Sequence, residues 1–228
     1  MTLVEHLQEL RARILVCAGA LGAASVAGYL LAAPLLAFIR RPLGDRAPLV
    51  FTSLGDAFFS VLRVAFMFGV LTSAPVVLWQ AWCFVAPGLE EKERRVVRRM
   101  LPVAYLLFVS GMAFAYYFVV PFAVRFFLSY AGQSLTPLLS LEDYLSFVTG
   151  TALMFGLIFE LPIALFALMK LGLVRPEALR RNRKVALFVV FVLAAVITPT
   201  GDAINMILAA LPLWGLFELS MVLAAAVE

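Results

Sequence analysis

Carboxylates are the side chains through which this chain could do chemistry, because the common catalytic and metal-binding motifs are missing from its sequence. His6 is the single histidine, which argues against histidine-based metal ligation and against a serine–histidine nucleophile. No GxSxG, HExxH or phosphate-binding glycine loop occurs in the sequence. We therefore expect a protein that is not an enzyme and that has no catalytic residue, metal or cofactor.

Glu160 is the most informative acid, because it stands inside a long apolar run. An ionised carboxylate there costs several kcal/mol unless it is protonated, paired or hydrated. One interpretation is a neutral acid hydrogen-bonded to a neighbouring helix. The other, which we favour, is a polar site on a concave and partly hydrated face. Glu218 lies late in the last apolar run, where its side chain can extend to water.

Glu9 and Glu93 both lie near charged stretches that border apolar runs. Two such acids could each accept one guanidinium in a forked, charge-assisted pair. Each acid could equally pair only with its neighbours, Glu9 with Arg13 and Glu93 with Arg94 or Arg95. Exposed pairs of that kind contribute little to stability, and the residues alone leave both interpretations open.

Composition defines the elements that must position these acids. Hydrophobic residues make up 64% of the 228-residue chain, charged residues 14%, and the mean hydropathy is +1.03. Soluble chains carry roughly 25% charged residues, so we predict an all-α integral membrane protein. The length accommodates about six spans of ~20 residues in one polytopic domain covering 1–228. The predicted spans are 14–39, 61–84, 101–124, 144–171, 185–199 and 203–220.

The densest cluster of charge separates the second span from the third. It follows Pro87 and Gly88, which signal a helix end, and we predict a short cytoplasmic loop there that binds a cationic partner. Thirteen of the 18 Lys and Arg residues fall on the side of this loop, the N-terminus and residues 170–184. The positive-inside rule then places both termini in the cytoplasm. Trp79 and Trp82 are predicted to be interfacial anchors.

The last two predicted spans are short. Seventeen uncharged residues separate Lys184 from Asp202, and fifteen separate Asp202 from Glu218. Such spans fit a normal bilayer core only marginally, so we expect them to thin the surrounding lipid. Asp202 itself is predicted to cap the sixth span, because an acid at a helix N-terminus is favoured by the helix dipole.

Several groups of residues, in order along the chain, resemble the motifs of one known family. They are HLQELRAR at 6–13, SAP at 73–75 with WCFVAPGL at 82–89 and ERR at 93–95, FGLIFELP at 155–162, and the Thr-Pro, Asp, Leu-Pro and Phe-Glu positions at 198–199, 202, 211–212 and 217–218. Together they resemble the TatC family, the receptor subunit of the twin-arginine protein translocase, over nearly the whole chain.

The resemblance implies a cup-shaped membrane protein of six helices in a prokaryotic plasma membrane. It implies binding of twin-arginine signal peptides of folded precursors at the cytoplasmic face, with energy from the proton-motive force. The implied partners are single-span proteins of the TatA and TatB type, other TatC copies and the lipid bilayer, and no nucleic acid.

The same resemblance assigns roles to the residues of the charged side. The acids implied to receive the arginine pair are Glu9 and Glu93. Arg11, Phe84 and Arg95 match positions beside that site.

Within the membrane, Glu160 matches the acid of the concave face and Asp202 matches an acid near the outer turn. Pro42 resembles the proline of the first external loop. Met206 stands where the family commonly has a glutamine, so the polar contact implied at that position is in question.

Two other functions remain open from the residues. A small ion- or proton-coupled transporter would use Glu160 as its coupling group, although the single deep acid and the lack of repeats argue against it. A purely structural membrane scaffold is the third possibility, favoured if neither peptide nor ion binds.

Overall fold

Helices dominate the computed structural model, which describes residues 3–44, 47–129, 138–170, 172–197 and 203–225. Within these ranges the helices are α1 (Leu3–Leu30), α2 (Ala32–Arg40), α3 (Asp56–Val85), α4 (Glu91–Phe114), α5 (Val120–Ser129), α6 (Leu141–Phe159), α7 (Leu161–Lys170), α8 (Pro176–Arg181), α9 (Arg183–Ile197) and α10 (Ala203–Ala225). A 3₁₀ turn covers Ala86–Gly88, and a π-helical turn covers Ala115–Val119. Two short strands, β1 (Leu49–Val50) and β2 (Leu139–Ser140), pair in parallel.

Four helical stretches are long and apolar enough to cross a membrane, judged by length and composition. They are Glu5–Leu30, Asp56–Gly88, Arg94–Ser129 and Leu141–Met169, and each overlaps one of the first four predicted spans. The prediction of an all-α membrane protein is thereby confirmed. Helix α10 contains a shorter apolar stretch, Ala210–Val222.

The first predicted span is interrupted, a feature that the sequence-based prediction did not include. Helix α1 ends at Leu30, and the N–H of Leu31 is shared between the carbonyls of Ala27 and Gly28, each at 3.2 Å. Pro34 explains the break, because proline lacks the N–H that would bond the carbonyl four residues earlier. The chain therefore continues as a second helix, α2.

The prediction of a loop across the charged segment is wrong. Only the 3₁₀ turn and the two residues after it separate α3 from α4, which begins at Glu91. Glutamate and arginine are strong helix formers, and acids are favoured in a first helical turn. The charges thus lie on the first turns of a membrane-crossing helix.

Prolines also shape the third and fourth spans. The π-helical turn at 115–119 immediately precedes Pro121, which leaves the carbonyl of Tyr117 without its usual donor. The fourth span breaks at Glu160, between α6 and α7, and Pro162 is buried just after the break. Both spans consequently depart from a continuous α-helix, the third at the π-helical turn and the fourth at Glu160.

Both of the last two spans are predicted to be short, and the two helices found there differ in length. Helix α9 is short, with 15 residues, whereas α10 has 23 and continues past Glu218 to Ala225. Helix α10 thus extends five residues beyond position 220, the predicted end of the sixth span. The fifth span's predicted end at 198–199 lies outside the described residues.

Helices α1 and α3 pack closely through small residues. A Cβ atom added to Gly69 of α3 would lie 2.2 Å from Oγ of Ser25, and one added to Gly28 of α1 would lie 2.7 Å from the carbonyl oxygen of Ala65. Larger residues at these two positions would force the helices apart. This contact holds the last turns of α1 against the first half of α3.

The strand end is our name for the end of the bundle that carries β1 and β2. Tyr116 and Tyr144 donate hydrogen bonds from their hydroxyls to the carbonyls of Phe38 (2.6 Å) and Ile39 (2.9 Å) at the end of α2. These bonds supply side-chain donors to carbonyls in the last turn of α2, where the carbonyl of Phe38 also accepts from the N–H of Arg41 at 3.1 Å. The opposite end, with the start of α1, the 3₁₀ turn and the start of α4, is the charged end.

Candidate functional site

Glu9 lies on α1 at the charged end, with its carboxylate mostly buried. One oxygen, Oε1, accepts hydrogen bonds from Nε (3.1 Å) and from NH2 of Arg13. The other oxygen, Oε2, is buried and has no hydrogen-bond partner among the described residues. Nδ1 of His6 lies 4.0 Å from it, beyond hydrogen-bond distance. A carboxylate offers about four acceptor positions, so Glu9 retains capacity for a further donor.

Arg13 ties this carboxylate to α3. Its NH1 donates to Oε1 of Gln80 at 3.1 Å, and its NH2 donates to the carbonyl oxygen of Cys83 at 3.0 Å. The guanidinium therefore bridges two helices while it holds Glu9 in one orientation. The local pairing of Glu9 with Arg13, which the sequence left as one alternative, forms in the structure and leaves Oε2 of Glu9 available.

Phe84 forms an aromatic wall beside Glu9. Its ring stacks on the His6 ring with a centroid separation of 4.3 Å and an interplanar angle of 19°. This stack joins the first turns of α1 to the end of α3, next to Cys83. The sequence-predicted residues Glu9 and Phe84 are thus brought together through His6.

The start of α4 carries the other residues predicted for this site. Arg95 is exposed, as is Arg11 on α1. The side chain of Glu93 lies outside the described part, although its backbone is in the first turn of α4. Arg94 donates from Nε to the carbonyls of Ala86 (2.7 Å) and Leu89 (3.2 Å), which anchors α4 to the 3₁₀ turn.

Glu160 occupies the break between α6 and α7. Its backbone carbonyl accepts from the N–H of Ala164 at 2.9 Å, so the helical path resumes directly after the break. Side-chain atom Oε1 is buried without a hydrogen-bond partner among the described residues. In that part of the chain, no bond to a neighbouring helix satisfies this oxygen.

The three remaining predicted residues lie apart from the charged end. Met206 is half-buried against an apolar cluster that includes Phe155 and Leu213, where a thioether packs well. Pro42 lies in the turn after α2, next to the buried Leu43. Asp202 lies outside the described residues.

Sequence reasoning missed two polar contacts. Gln80 is the partner of Arg13, and a lone amide inside the apolar helix α3, three residues before Cys83, was a signal that could have found it. Arg183 at the start of α9 pairs with Glu218 late in α10 at 3.2 Å. This ion pair joins two helices at positions that no local sequence pattern connects.

A multi-pass helical membrane protein with a buried, partly unpaired carboxylate beside an aromatic stack is the class that this fold and site define. The sequence profile described as "Sec-independent protein translocase protein (TatC)" matches residues 5–212. The chain belongs to the TatC family. It is therefore a subunit of the Sec-independent, twin-arginine protein translocase, and its place is in a membrane.

Individual relatives cover almost the entire chain. The Sec-independent protein translocase protein TatC of Carboxydothermus hydrogenoformans is 40% identical over 225 residues, which are 98% of this chain and 93% of that protein. TatCy of Bacillus subtilis is 35% identical over 228 residues, with 99% and 89% covered. A crystal structure described as the twin arginine translocase receptor TatC is 33% identical, with a TM-score of 0.82, and covers 96% of this chain and 99% of that one.

Proposed function

We propose that this chain is the receptor subunit that binds twin-arginine signal peptides of folded precursor proteins at the cytoplasmic face of the membrane. The observation that carries the proposal is Oε2 of Glu9, a buried acceptor without a partner among the described residues. Leaving such an oxygen unpaired costs free energy, and a ligand that supplies a donor recovers it. The description of the similar crystal structure as a receptor supports the same function.

The surroundings of Glu9 suit a guanidinium better than an ammonium. A guanidinium is planar and offers five N–H donors in a fixed fork. The stacked rings of His6 and Phe84 provide a flat wall beside the acid, and arginine stacks well on aromatic faces. Arg13 holds the carboxylate in place through Oε1, so the ligand meets an acceptor that is already oriented.

A pair of arginines requires a second acid, and we assign that role to Glu93. It belongs to the first turn of α4, which the anchored Arg94 positions against the 3₁₀ turn after Phe84. Arg11 and Arg95 flank the two acids as exposed cations and select against misplaced positive charge by repulsion.

The remaining parts of the molecule fit the same function. Six spans with both termini in the cytoplasm form a cup whose concave face carries Glu160, which contacts the hydrophobic part of the signal or a partner helix. Asp202 and Met206 contribute to that face, and Pro42 shapes the first external turn. Single-span partners of the TatA and TatB type and further copies of this chain assemble around it, and the proton-motive force drives export.

Peptide binding to the detergent-purified protein tests the proposal. A fluorescent twin-arginine signal peptide is titrated beside a twin-lysine version, which keeps the charge and loses the fork. We expect Glu9→Gln and Glu93→Gln each to weaken binding of the arginine peptide by roughly ten- to hundredfold, the range for a lost hydrogen bond to a charged group. Glu177→Gln is the matched control, because Glu177 is an exposed acid in the first turn of another helix of the basic side.

Two results would overturn the proposal. Equal binding of the arginine and lysine peptides to the wild type would show that the site does not recognise the guanidinium group. Unchanged affinity in both acid variants, or the same loss of affinity in Glu177→Gln, would show that Glu9 and Glu93 do not bind the arginine pair.

A further inference from the structure

An open pocket of about 780 Å³ lies at the charged end, on the face where α4 meets α3. Glu91 is the only acid among its described lining residues, and its wall on the α3 side is formed by Trp79 and Trp82. Four arginines of α4 complete the lining: Arg94, Arg95, Arg98 and Arg99. The pocket is therefore strongly cationic and has an aromatic wall.

Three of the four arginines have no role in bonding within the described part of the chain. Arg94 is engaged by the carbonyls of Ala86 and Leu89. The exposed side chains of Arg95, Arg98 and Arg99 form no ion pair or hydrogen bond with any described residue. Like charges at this spacing on one helix repel each other, so an anionic ligand would stabilise the arrangement.

A second groove, lined by residues of α3 and α4, adjoins this pocket. It has a volume of about 330 Å³ and shares Trp79 and Arg98 with the basic pocket. The rest of its lining is mainly apolar, including Pro75, Leu101 and Tyr105. Cationic and apolar surfaces thus adjoin at Arg98.

The depth of this junction matches the boundary between lipid headgroups and acyl chains. Trp79 lies six residues, about 9 Å along the axis, before the end of α3 at Val85. Its side chain is 47% exposed, as expected for an interfacial anchor, whereas Trp82 is buried in a cluster with Phe166. Arg94 begins the third membrane-crossing stretch.

We propose that α3 and α4 form a binding site for one anionic phospholipid, with its phosphodiester held by Arg95, Arg98 and Arg99 and one acyl chain in the groove below Trp79. Basic pockets between transmembrane helices at the cytoplasmic side recognise anionic headgroups. The occupant is a lipid rather than free phosphate, because the apolar groove opens directly from the basic pocket. This site shares Arg95 with the proposed peptide site, but it is centred on Arg98 and Arg99, and its test does not depend on peptide binding.

Native mass spectrometry of the whole purified protein tests the proposal with phosphatidylglycerol as the probe. Phosphatidylcholine of the same chains and the soluble headgroup glycerophosphoglycerol serve as the other two ligands. We expect phosphatidylglycerol to be retained, phosphatidylcholine to bind much more weakly, and the soluble headgroup not to bind at the same concentration. Arg98→Gln should weaken phosphatidylglycerol binding roughly fivefold, and the Arg98→Gln/Arg99→Gln pair roughly twenty-five-fold, in line with the contribution of each basic residue at an anionic surface.

Two further variants keep the test decisive. Leu78→Phe fills the apolar groove without changing charge and should also weaken lipid binding. Arg181→Gln is the control and should leave lipid binding unchanged. Arg181 lies in a basic pocket near α8 whose described lining is entirely polar. Equal binding of the two lipids, equal binding of the soluble headgroup, or the same loss in Arg181→Gln would each overturn the proposal. Melting temperatures identify any variant that fails to fold, and Leu78→Phe and Arg98→Gln test the site independently of each other.

Discussion

Asp56 at the strand end and Glu9 at the charged end are both largely buried acids, but they differ in how far their oxygens are hydrogen-bonded. Oδ2 of Asp56 accepts from the N–H (2.6 Å) and hydroxyl (2.8 Å) of Thr52 and from the N–H of Ser53 (3.0 Å). Its Oδ1 accepts from the hydroxyl of Ser53. Glu9, in contrast, keeps Oε2 without a partner among the described residues, and Glu160 keeps Oε1 in the same state.

The difference separates residues that hold the fold from residues that are available to a ligand. Buried polar groups in native proteins are nearly always hydrogen-bonded, because an unsatisfied one costs the full desolvation penalty. The bonds of Asp56 order the segment before α3 and hold it against the helix start. An acid kept unsatisfied in the same chain lowers stability, and its retention points to function.

Replacing Asp56 should have the largest effect on stability. Asp56→Ala leaves the N–H groups of Thr52 and Ser53 and both hydroxyls without their acceptor, so we expect a larger fall in melting temperature than from replacing any other acid of this comparison. Differential scanning fluorimetry in detergent measures it. Twin-arginine peptide affinity of the fraction that remains folded should not change.

Asp143→Ala is the matched control for Asp56. Asp143 also lies in the first turn of a helix, but its side chain is exposed. If both variants melt at the same temperature as the wild type, the hydrogen bonds of Asp56 do not stabilise the strand end. Asp56 would then not be a structural acid, and the contrast with Glu9 would be wrong.

The structural features that could be predicted from sequence are those that depend on one residue type and its neighbours along the chain. Glu160 in an apolar run is unusual by composition alone, and the uncharged stretches located four membrane-crossing helices. Each of these inferences uses information from neighbouring positions only.

The parts that could not be predicted depend on contacts between distant segments. The parallel pairing of β1 with β2 joins residues ninety positions apart, Leu49 with Leu139, and two-residue strands carry no periodic signal. The bridge from Arg13 to Gln80 and Cys83 likewise requires α1 to lie against α3. The helical start of α4 was missed for a different reason, because dense charge suggested a loop although the individual residues favour helix.

Arg13→Lys tests whether the orientation of Glu9 at the charged end matters for peptide binding. Lysine keeps the positive charge beside Glu9 and loses the fork that reaches Gln80 and Cys83 together. We expect the affinity for the twin-arginine peptide to fall roughly fivefold, the equivalent of about 1 kcal/mol for one lost hydrogen bond. Arg181→Lys, at an exposed position of α8, is the control. Unchanged affinity in Arg13→Lys would mean that the orientation of Glu9 is not important for binding.

Glu160→Gln tests whether the second unsatisfied acid lowers stability. A neutral amide is less costly to bury than a carboxylate with an unpaired oxygen, so we expect a small gain of roughly 0.5–1 kcal/mol, or about 1–3 °C in melting temperature. Glu142→Gln should change the melting temperature in the opposite direction, because Glu142 lies 3.8 Å from Arg63 at the strand end. A clear loss of stability in Glu160→Gln would show that the carboxylate of Glu160 is hydrogen-bonded and stabilises the fold, as that of Asp56 does.

The ion pair between Arg183 and Glu218 should have the smallest effect, because both side chains are partly exposed, 51% and 37% respectively. Exposed pairs contribute about 0.2–1 kcal/mol, so Glu218→Gln should lower the melting temperature by no more than roughly 2 °C. A double-mutant cycle with Arg183→Gln isolates the pair, and we expect a coupling energy in the lower half of that range. A coupling energy well above 1 kcal/mol would place Glu218 among the acids that hold the fold, even though water reaches it. Bonding to the rest of the chain, rather than burial, would then be the property that separates structural acids from those available to a ligand.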